Sequence, residues 1–291
     1  MSLSGAGSHY EKLLARLTGK TKVTIDSMRT VGGGSINTCY EIQSSAGRYF
    51  LKENSSAEFP GMFEAEKRGL ELLAEKKLFA IPFVHGIEEN KGRSYLLMEW
   101  LERKSAGNSW EEAGKKLAKL HCHSSLHFGL DHANYLGSLP QENTPFDSWS
   151  EFFANCRILP QIRMARNSGK IDPDLVSRAE NFCAKADDIF PPEKPALLHG
   201  DLWSGNFFFS VKGPALFDPA VYYGHHEMDL AMTKLFGGFE ADFYAGYVKE
   251  FPPEKNWEQR VSYCNLYPLL VHVNLFGGGY VNDVKTILRA F

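Results

Sequence analysis

The sequence has few cysteines, and none of them are paired at metal-binding spacing. Its five cysteines are scattered through 291 residues without a Cys-x-x-Cys pair. This distribution argues against a disulfide scaffold or a cysteine zinc site, and it favours reduced thiols. The first eight residues also lack the cationic and then apolar pattern of a signal peptide. We therefore expect a cytoplasmic protein.

A charge excess, a long apolar run and an internal repeat are also missing. Lysine and arginine total 32 against 35 acidic residues, so the formal net charge is −3 and there is no basic footprint for a nucleic acid. No run approaches the ~20 apolar residues that cross a bilayer. With 43% hydrophobic residues, the chain can build two compact lobes or one large domain. We expect neither a nucleic acid nor a membrane among its partners.

Residues 198–218 contain the side chains that phosphoryl transfer requires. Asp201 and Asn206 are five residues apart, and Asp218 follows about a dozen residues later. Apolar runs on both sides of a turn at 211–214 predict a small hairpin that brings these three side chains together. One carboxylate can accept the proton of an attacking hydroxyl, while an amide oxygen and a second carboxylate hold Mg²⁺ on the nucleotide phosphates. Such residues are also ordinary loop formers, but the whole string in its strand context favours catalysis.

Local patterns predict most of the elements in the first hundred residues. Ser8 and Glu11 indicate a capped helix start, and residues 88–93 indicate a charged turn. Predicted strands cover residues 23–31, 38–42, 48–53 and 94–100. The residues between the first two strands, 32–35, read Gly-Gly-Gly-Ser. They form either a flexible hairpin turn or a phosphate cover made of backbone N–H groups, and not a Walker loop, because no Gly-Lys-Ser/Thr follows.

Lys52 and Glu66 are predicted to form an ion pair. Lys52 ends a strand, where a lysine is either a solvated edge residue or the cation that neutralises the α- and β-phosphates. Glu66 falls between Met62 and Leu70 on the apolar stripe of the next helix. A charged carboxylate on a buried face needs a cation beside it, and Lys52 fits that role. The alternative is a frayed first turn that leaves Glu66 in water.

The motif His-Gly-Asp-Leu-Trp-Ser-Gly-Asn at residues 199–206 resembles the catalytic loop of the fructosamine kinase (ketosamine-3-kinase) family, a branch of the aminoglycoside-phosphotransferase-like kinases. Residues 134–143 and 266–280 resemble the family too, and the likeness covers roughly residues 23–290. It implies an α+β, bilobal protein-kinase-like fold with ATP and Mg²⁺ between the lobes. The small lobe, residues 1–101, would have an antiparallel sheet plus one helix, and the larger, mainly helical lobe would span residues 102–291.

The resemblance assigns roles to individual residues. Asp201 would be the base or the group that orients the hydroxyl, Asn206 and Asp218 would hold Mg²⁺, and Asp229 would brace the catalytic-loop backbone. The adenine ring would bond to backbone groups near Glu99 and Leu101. The implied nucleotide-binding residues are Gly32, Gly33, Gly34, Ser35, Lys52, Glu66, Met98, Glu99 and Leu101.

An aromatic residue and four histidines have more than one interpretation. Trp203 either packs in the core or stacks on a sugar face of the acceptor. His272 either lines the acceptor pocket or belongs to the core. His121 is predicted to be a hydrogen-bonded core histidine, because no third ligand accompanies it for a metal site. His225 and His226 differ from the Asp-Arg or His-Arg more usual in the family, and no substrate role is assigned to them.

The implied function is ATP-dependent transfer of the γ-phosphoryl group to the 3-hydroxyl of a ketosamine. The acceptor would be a fructosamine or ribulosamine, free or on protein lysines, and the role would be repair of glycated amines. One alternative is a kinase of the same fold that acts on an aminoglycoside, choline, homoserine or a thioribose. Another is a non-catalytic nucleotide-binding pseudokinase, which the presence of the base, the metal ligands and the lysine disfavours. The lack of an Ala-Pro-Glu segment after Asp218 disfavours a protein kinase.

Overall fold

The computed structural model describes residues 3–32, 36–107 and 109–291 of the chain. These form two compact units: unit 1 comprises Met1–Ala106 and Phe208–Phe217, and unit 2 comprises Gly107–Phe207 and Asp218–Phe291. Three of the predicted phosphate-binding residues, Gly33, Gly34 and Ser35, lie outside the described residues. The assignment of a nucleotide-binding lobe at 1–101 and a catalytic lobe at 102–291 stays a prediction.

Unit 1 is built on a five-stranded antiparallel sheet. Its elements are α1 (Leu3–Thr18), β1 (Ile25–Val31), β2 (Thr38–Ser44), β3 (Gly47–Ser55), α2 (Met62–Glu75), β4 (Val84–Asn90) and β5 (Arg93–Glu99). The strand order is β1-β2-β3-β5-β4. Because β5 lies between two strands, five successive residues of it, Ser94 to Met98, are buried. Leu13 and Leu14 of α1 pack into the same cluster as Ile42, Leu51 and Leu97.

Two expectations in unit 1 are wrong. Helix α1 begins at Leu3, so Ser8 is an internal residue and not a cap. The burial of Leu13 and Leu14 stabilises this helix. Residues 88–90 belong to β4 and not to a turn. Charged side chains suit this strand because it is an edge of the sheet, and Glu88 pairs with Arg16 at 2.5 Å.

Unit 2 is mainly helical. Its strands are β6 (Asn134–Leu136), β7 (Leu139–Gln141), β8 (Ala196–Leu198) and β11 (Tyr222–Gly224); a hairpin of β9 (Phe207–Ser210) and β10 (Gly213–Leu216) falls almost wholly in unit 1. Its helices are α3 (Trp110–His121), α4 (Trp149–Phe152), α5 (Leu159–Asn167), α6 (Pro173–Ala184), α7 (Ala186–Ile189), α8 (Glu227–Leu235), α9 (Ala241–Glu250), α10 (Trp257–Phe276) and α11 (Tyr280–Ala290), with a π-helical turn at Phe153–Ile158. The antiparallel sheet with helices confirms the predicted α+β class. No helix among the described residues has the length and apolar character needed to cross a bilayer.

The core of unit 2 is rich in aromatic residues around one buried arginine. Trp149 stacks on Phe153 with ring centroids 5.0 Å apart. The fully buried guanidinium of Arg157 lies 4.0 Å from the ring centroid of Tyr222 and donates to Asn143 Oδ1 at 2.7 Å. A buried charge is tolerated only when it is well partnered, so Arg157 fixes the loop at Asn143 against β11.

Candidate active site

The catalytic loop, residues 199–206, follows β8 and is held in place by its backbone. The carboxylate of Asp229 on α8 accepts the N–H of His199 at 2.7 Å and that of Gly200 at 2.9 Å. Gly200 has φ +82°, and a Cβ there would lie 2.1 Å from the carbonyl oxygen of Ala220. Only glycine fits such a position. These contacts fix the backbone of the two residues that precede Asp201.

Asp201 and Asn206 are in direct contact, as the predicted hairpin requires. Asn206 Nδ2 donates to Asp201 Oδ2 at 2.9 Å and to its backbone oxygen at 3.0 Å. Burial raises the pKa of the Asp201 carboxyl to about 7, although the hydrogen bond from Asn206 opposes the shift. Within the described part of the chain, Asp201 Oδ1 accepts no hydrogen bond. That oxygen can therefore accept a hydrogen bond from an acceptor hydroxyl.

Asp218 follows the hairpin at a strained point of the backbone. Its backbone oxygen lies 3.5 Å from Asn206 Nδ2, so the predicted proximity of the three residues is confirmed. Its φ is +54°, a left-handed conformation that costs a non-glycine residue roughly 1–2 kcal/mol. Strain of this kind persists where the surrounding structure imposes it, often at functional sites. Asn206 uses its amide nitrogen toward Asp201, and the assignment of Asn206 and Asp218 as metal ligands stays a prediction.

The predicted pair in unit 1 is present. Lys52 Nζ on β3 donates to Glu66 Oε1 on α2 at 2.7 Å, with side chains only 2% and 9% exposed. The frayed-turn alternative for Glu66 is wrong, because α2 is continuous from Met62 and Glu66 is on its buried face. The role of this pair toward phosphates stays a prediction.

The predicted adenine contacts lie where β5 ends. Met98 is buried, and the N–H of Glu99 already donates to the carbonyl oxygen of Phe83 at 2.8 Å. The Glu99 carboxylate pairs with Lys212 on the hairpin. A nucleotide that binds here would therefore have to use other backbone groups of this segment, including those of Leu101. The adenine-binding role of this segment stays a prediction.

The assignment of Gly32, which directly follows β1, to the phosphate-binding residues also stays a prediction.

Trp203 and His272 are half-buried members of one aromatic group. The Trp203 ring covers Gly205, where an added Cβ would lie 2.2 Å from the ring. The Trp203 and Phe236 rings form a T-shaped pair, with ring centroids 5.7 Å apart. His272 donates from Nδ1 to the carbonyl oxygen of Pro268 at 2.7 Å, and its ring lies 5.3 Å from that of Phe236. The structure thus brings together two residues that are 69 positions apart in the chain.

Two amide side chains near the site were not predicted from the sequence. Asn134 Nδ2 donates to the carbonyl oxygen of Val221 at 2.8 Å, and Gln141 Nε2 to that of Ala220 at 3.2 Å. Tyr267 in turn donates to Gln141 Oε1 at 2.8 Å. These bonds hold the segment that follows Asp218. The only signal in the sequence is that polar amides occur where the neighbouring side chains are apolar.

Three histidines outside the catalytic loop, His121, His225 and His226, are buried. His121, as predicted, is a buried hydrogen-bonded residue: its Nδ1 lies 2.7 Å from Tyr247 Oη and its Nε2 lies 3.3 Å from Asp229 Oδ2. His225 and His226 are buried against Glu193, and the N–H of His226 donates to Glu193 Oε1 at 2.6 Å. Burial lowers the pKa of His225 to about 3. These contacts fix the start of α8, which carries Asp229.

Removing the Asp229 carboxylate should loosen the catalytic loop. Asp229→Ala removes the carboxylate that accepts the N–H groups of His199 and Gly200. We expect kcat to fall and the free energy of unfolding to drop by about 2–5 kcal/mol, because each buried donor that loses its acceptor costs about 1–3 kcal/mol. Burial opposes the charge, but His121 and the Gly200 N–H keep the pKa of Asp229 below its ordinary value. The stabilisation is therefore present above the pKa of the unfolded chain and is lost as the pH falls.

Urea unfolding at several pH values, together with kcat, would measure both effects. Asp229→Asn keeps one acceptor oxygen and should give an intermediate kcat, without the acid-side pH dependence that Asp229 contributes. The structural role of Asp229 would be contradicted if Asp229→Ala unfolded at the wild-type urea concentration and kept the wild-type kcat.

Known proteins resemble this chain over nearly its whole length. The sequence profile of the fructosamine kinase family matches residues 8–291. A probable ketoamine kinase of Synechocystis sp. is 42% identical over 91% of this chain and 90% of that protein. The chloroplastic protein-ribulosamine 3-kinase of Arabidopsis thaliana is 36% identical over 94% of this chain and 84% of that protein.

Solved structures agree with this assignment. A candidate fructosamine-3-kinase of Thermobifida fusca superposes with a TM-score of 0.85 at 32% identity, covering 96% of this chain and 98% of that one. The aminoglycoside phosphotransferase APH(4)-Ia shares the fold alone, with a TM-score of 0.63 at 15% identity. The predicted kinase-like fold is thereby confirmed, and the chain belongs to the fructosamine kinase family.

Proposed function

We propose that this protein transfers the γ-phosphoryl group of ATP to the 3-hydroxyl of a ketosamine, such as a fructosamine or a ribulosamine. Membership of the family and the names of its relatives support this acceptor class. The observation that carries the proposal is the Asp201 carboxylate, oriented by Asn206 through one oxygen and open at the other. That arrangement suits a hydroxyl acceptor that must lose its proton during transfer.

The reaction requires few bond changes from the protein. The 3-hydroxyl oxygen attacks the γ-phosphorus, the bond from that phosphorus to the β,γ-bridging oxygen breaks, and ADP leaves. Asp201 orients the hydroxyl and accepts its proton. Lys52, held by Glu66, would bond to the α- and β-phosphates. Catalysis of this kind rests mainly on positioning and on stabilising charge.

We infer that Mg²⁺ accompanies the nucleotide. Asn206 Oδ1 and the Asp218 carboxylate are oxygen donors of the type that Mg²⁺ prefers, and the strained backbone of Asp218 is consistent with a position that is fixed for ligation. The ion would neutralise charge on the phosphates. The assignment of Asn206 and Asp218 as its ligands rests on this donor set.

A substrate panel would test the proposal. The purified protein, ATP and Mg²⁺ would be offered fructosyl-lysine, ribulosyl-lysine, choline, homoserine, an aminoglycoside and a thioribose, with ADP release as the readout. We expect turnover with the ketosamines, its loss on adding EDTA, and its recovery on adding excess Mg²⁺. Activity only on another acceptor would overturn the substrate assignment, and no turnover with any acceptor would favour a pseudokinase.

We further infer that the protein repairs glycated amines in the cytoplasm. Phosphorylation at the 3-hydroxyl destabilises a ketosamine, so the product can break down and release the amine. All five cysteines are free thiols, which suits a reducing compartment. Accumulation of 3-phosphorylated ketosamines in cells that express the active protein, and not in cells that express an Asp201→Asn variant, would support this role.

A further inference from the structure

A connected group of buried polar side chains lies in unit 2 beside the segment that follows Asp218. We define the polar network as five of these side chains, each at most 3% exposed: Asn134, Gln141, Asn143, Arg157 and Tyr267. Burying a polar group is costly unless it is hydrogen-bonded, so such a cluster persists only where its members find partners.

Gln141 is at the centre of the polar network. Tyr267 Oη donates to Gln141 Oε1 at 2.8 Å, and Gln141 Nε2 donates to Asn134 Oδ1 at 2.7 Å. Asn143 Nδ2 donates to the same oxygen of Asn134 at 3.1 Å, and Arg157 donates to Asn143 Oδ1 at 2.7 Å. Each side chain therefore orients the next one.

Arg157 anchors the far side of the network. It lies in the π-helical turn at Phe153–Ile158, a rare geometry that is frequent at functional sites. Its guanidinium also donates to the carbonyl oxygen of Glu142 at 2.6 Å and lies over the ring of Tyr222. These contacts fix the network on the core of unit 2.

The network also binds the backbone that follows Asp218. Gln141 Nε2 donates to the carbonyl oxygen of Ala220 at 3.2 Å, and Asn134 Nδ2 donates to that of Val221 at 2.8 Å. Two consecutive carbonyl groups are thus held by side chains of one short hairpin, formed by β6 and β7. The first of these groups lies two residues after Asp218.

The backbone at Asp218 requires such a constraint. Its φ of +54° is left-handed, and a non-glycine residue keeps that conformation only where the surrounding structure imposes it. On the catalytic-loop side, Asn206 Nδ2 lies 3.5 Å from the backbone oxygen of Asp218, and the N–H of Ala220 donates to the carbonyl oxygen of His199 at 2.9 Å. Gln141 holds the same segment from the opposite side of Ala220, through its carbonyl oxygen.

We propose that Gln141 is a positioning residue for the Mg²⁺ ligand Asp218. This inference rests on the proposed function, in which Asp218 and Asn206 hold the ion of the nucleotide. Gln141 acts through the Ala220 carbonyl, which keeps Asp218 in its left-handed conformation and so sets the position of its carboxylate. Residues that orient metal ligands without touching the metal change metal affinity roughly 10–100-fold when they are mutated.

Mn²⁺ binding would separate positioning from stability, because Mn²⁺ takes the same oxygen ligands as Mg²⁺. Electron paramagnetic resonance would follow free Mn²⁺ with the protein and a non-hydrolysable ATP analogue, and with the analogue alone. Gln141→Met keeps the volume of the side chain and removes the three hydrogen bonds described above. We expect it to weaken Mn²⁺ binding to the complex roughly tenfold. The Mg²⁺ concentration for half-maximal turnover should rise in parallel, while KM for the ketosamine at saturating Mg²⁺ stays at the wild-type value.

Tyr267→Phe is a milder variant that keeps the inference testable if Gln141→Met does not fold. It removes only the hydroxyl that anchors Gln141, so Mn²⁺ binding should weaken about threefold. Asn274→Ala is the matched control, because Asn274 Nδ2 donates to the carbonyl oxygen of Gln161 at 2.9 Å elsewhere in unit 2. It should lower the free energy of unfolding and leave Mn²⁺ binding unchanged.

Wild-type Mn²⁺ affinity in folded Gln141→Met or Tyr267→Phe, with only their stability reduced, would overturn the inference. Equal weakening of Mn²⁺ binding in Asn274→Ala would overturn it too, since the effect would then be a general loss of stability. If the wild-type protein with the analogue bound no more Mn²⁺ than the analogue alone, the proposed metal site itself would fail.

Discussion

Asp201→Asn is expected to lower kcat roughly 10³-fold, because the amide cannot accept the proton of the acceptor hydroxyl. The carboxylate is replaced by a group of nearly the same shape, so the hydrogen bond from Asn206 Nδ2 to the remaining oxygen can persist. The dissociation constant for ATP should therefore stay close to the wild-type value. Steady-state kinetics with a ketosamine and calorimetric titration with ATP and Mg²⁺ would measure the two quantities separately.

Asp187→Asn is the matched control for this variant, since Asp187 is an exposed aspartate of α7 in the same unit. It should keep the wild-type kcat and the wild-type ATP affinity. Asp201→Asn with wild-type turnover would remove Asp201 from the mechanism. A loss of ATP binding in the same variant would instead indicate that Asp201 holds the nucleotide.

Lys52→Met is expected to lower both stability and activity. The substitution leaves the buried Glu66 carboxylate without its cation, which should reduce the free energy of unfolding by about 3–5 kcal/mol. Loss of a cation that contacts the phosphates should lower kcat by roughly 10²-fold. Urea unfolding and steady-state kinetics would measure both changes.

The double variant Lys52→Met/Glu66→Leu separates these two effects. It replaces the pair with apolar groups, so the free energy of unfolding should return close to wild type while kcat remains low. Lys67→Met is the control, because Lys67 and Glu71 form an exposed pair, 3.8 Å apart, that contributes little. Recovery of kcat in the double variant would show that the pair only stabilises unit 1.

The sequence was sufficient to predict the elements whose signals are local. Asp201, Asn206 and Asp218 are close because a short hairpin between two apolar strands leaves few other arrangements. The Lys52–Glu66 pair followed from one acidic residue on an apolar helical face, because a buried carboxylate requires a cation. Helix α1 and β4 were misjudged at their ends, where capping and turn signals are weak and where packing on neighbouring elements decides the boundary.

Only the tertiary structure determined the contacts that join distant parts of the chain. Asp229 meets the catalytic-loop backbone across 30 residues, and Gln141 meets Ala220 across 79. The resemblance to the family suggested the first contact, and no sequence pattern suggested the second. The same holds for the hairpin, whose residues 208–217 belong to unit 1 although Asn206 and Asp218 on either side of it belong to unit 2.

The aromatic group of Trp203, Phe236 and His272 depends most strongly on folding. The sequence left Trp203 and His272 with two interpretations each, because an aromatic residue in an apolar segment can face the core or the solvent. Folding places both rings against Phe236 and leaves Phe236 and Phe276 exposed. The sequence by itself determined which residue types meet around Asp201, since that depends on residue identity and short spacing. The contacts among Trp203, Phe236 and His272 were decided by tertiary packing, since they depend on which side chains the helices bring together.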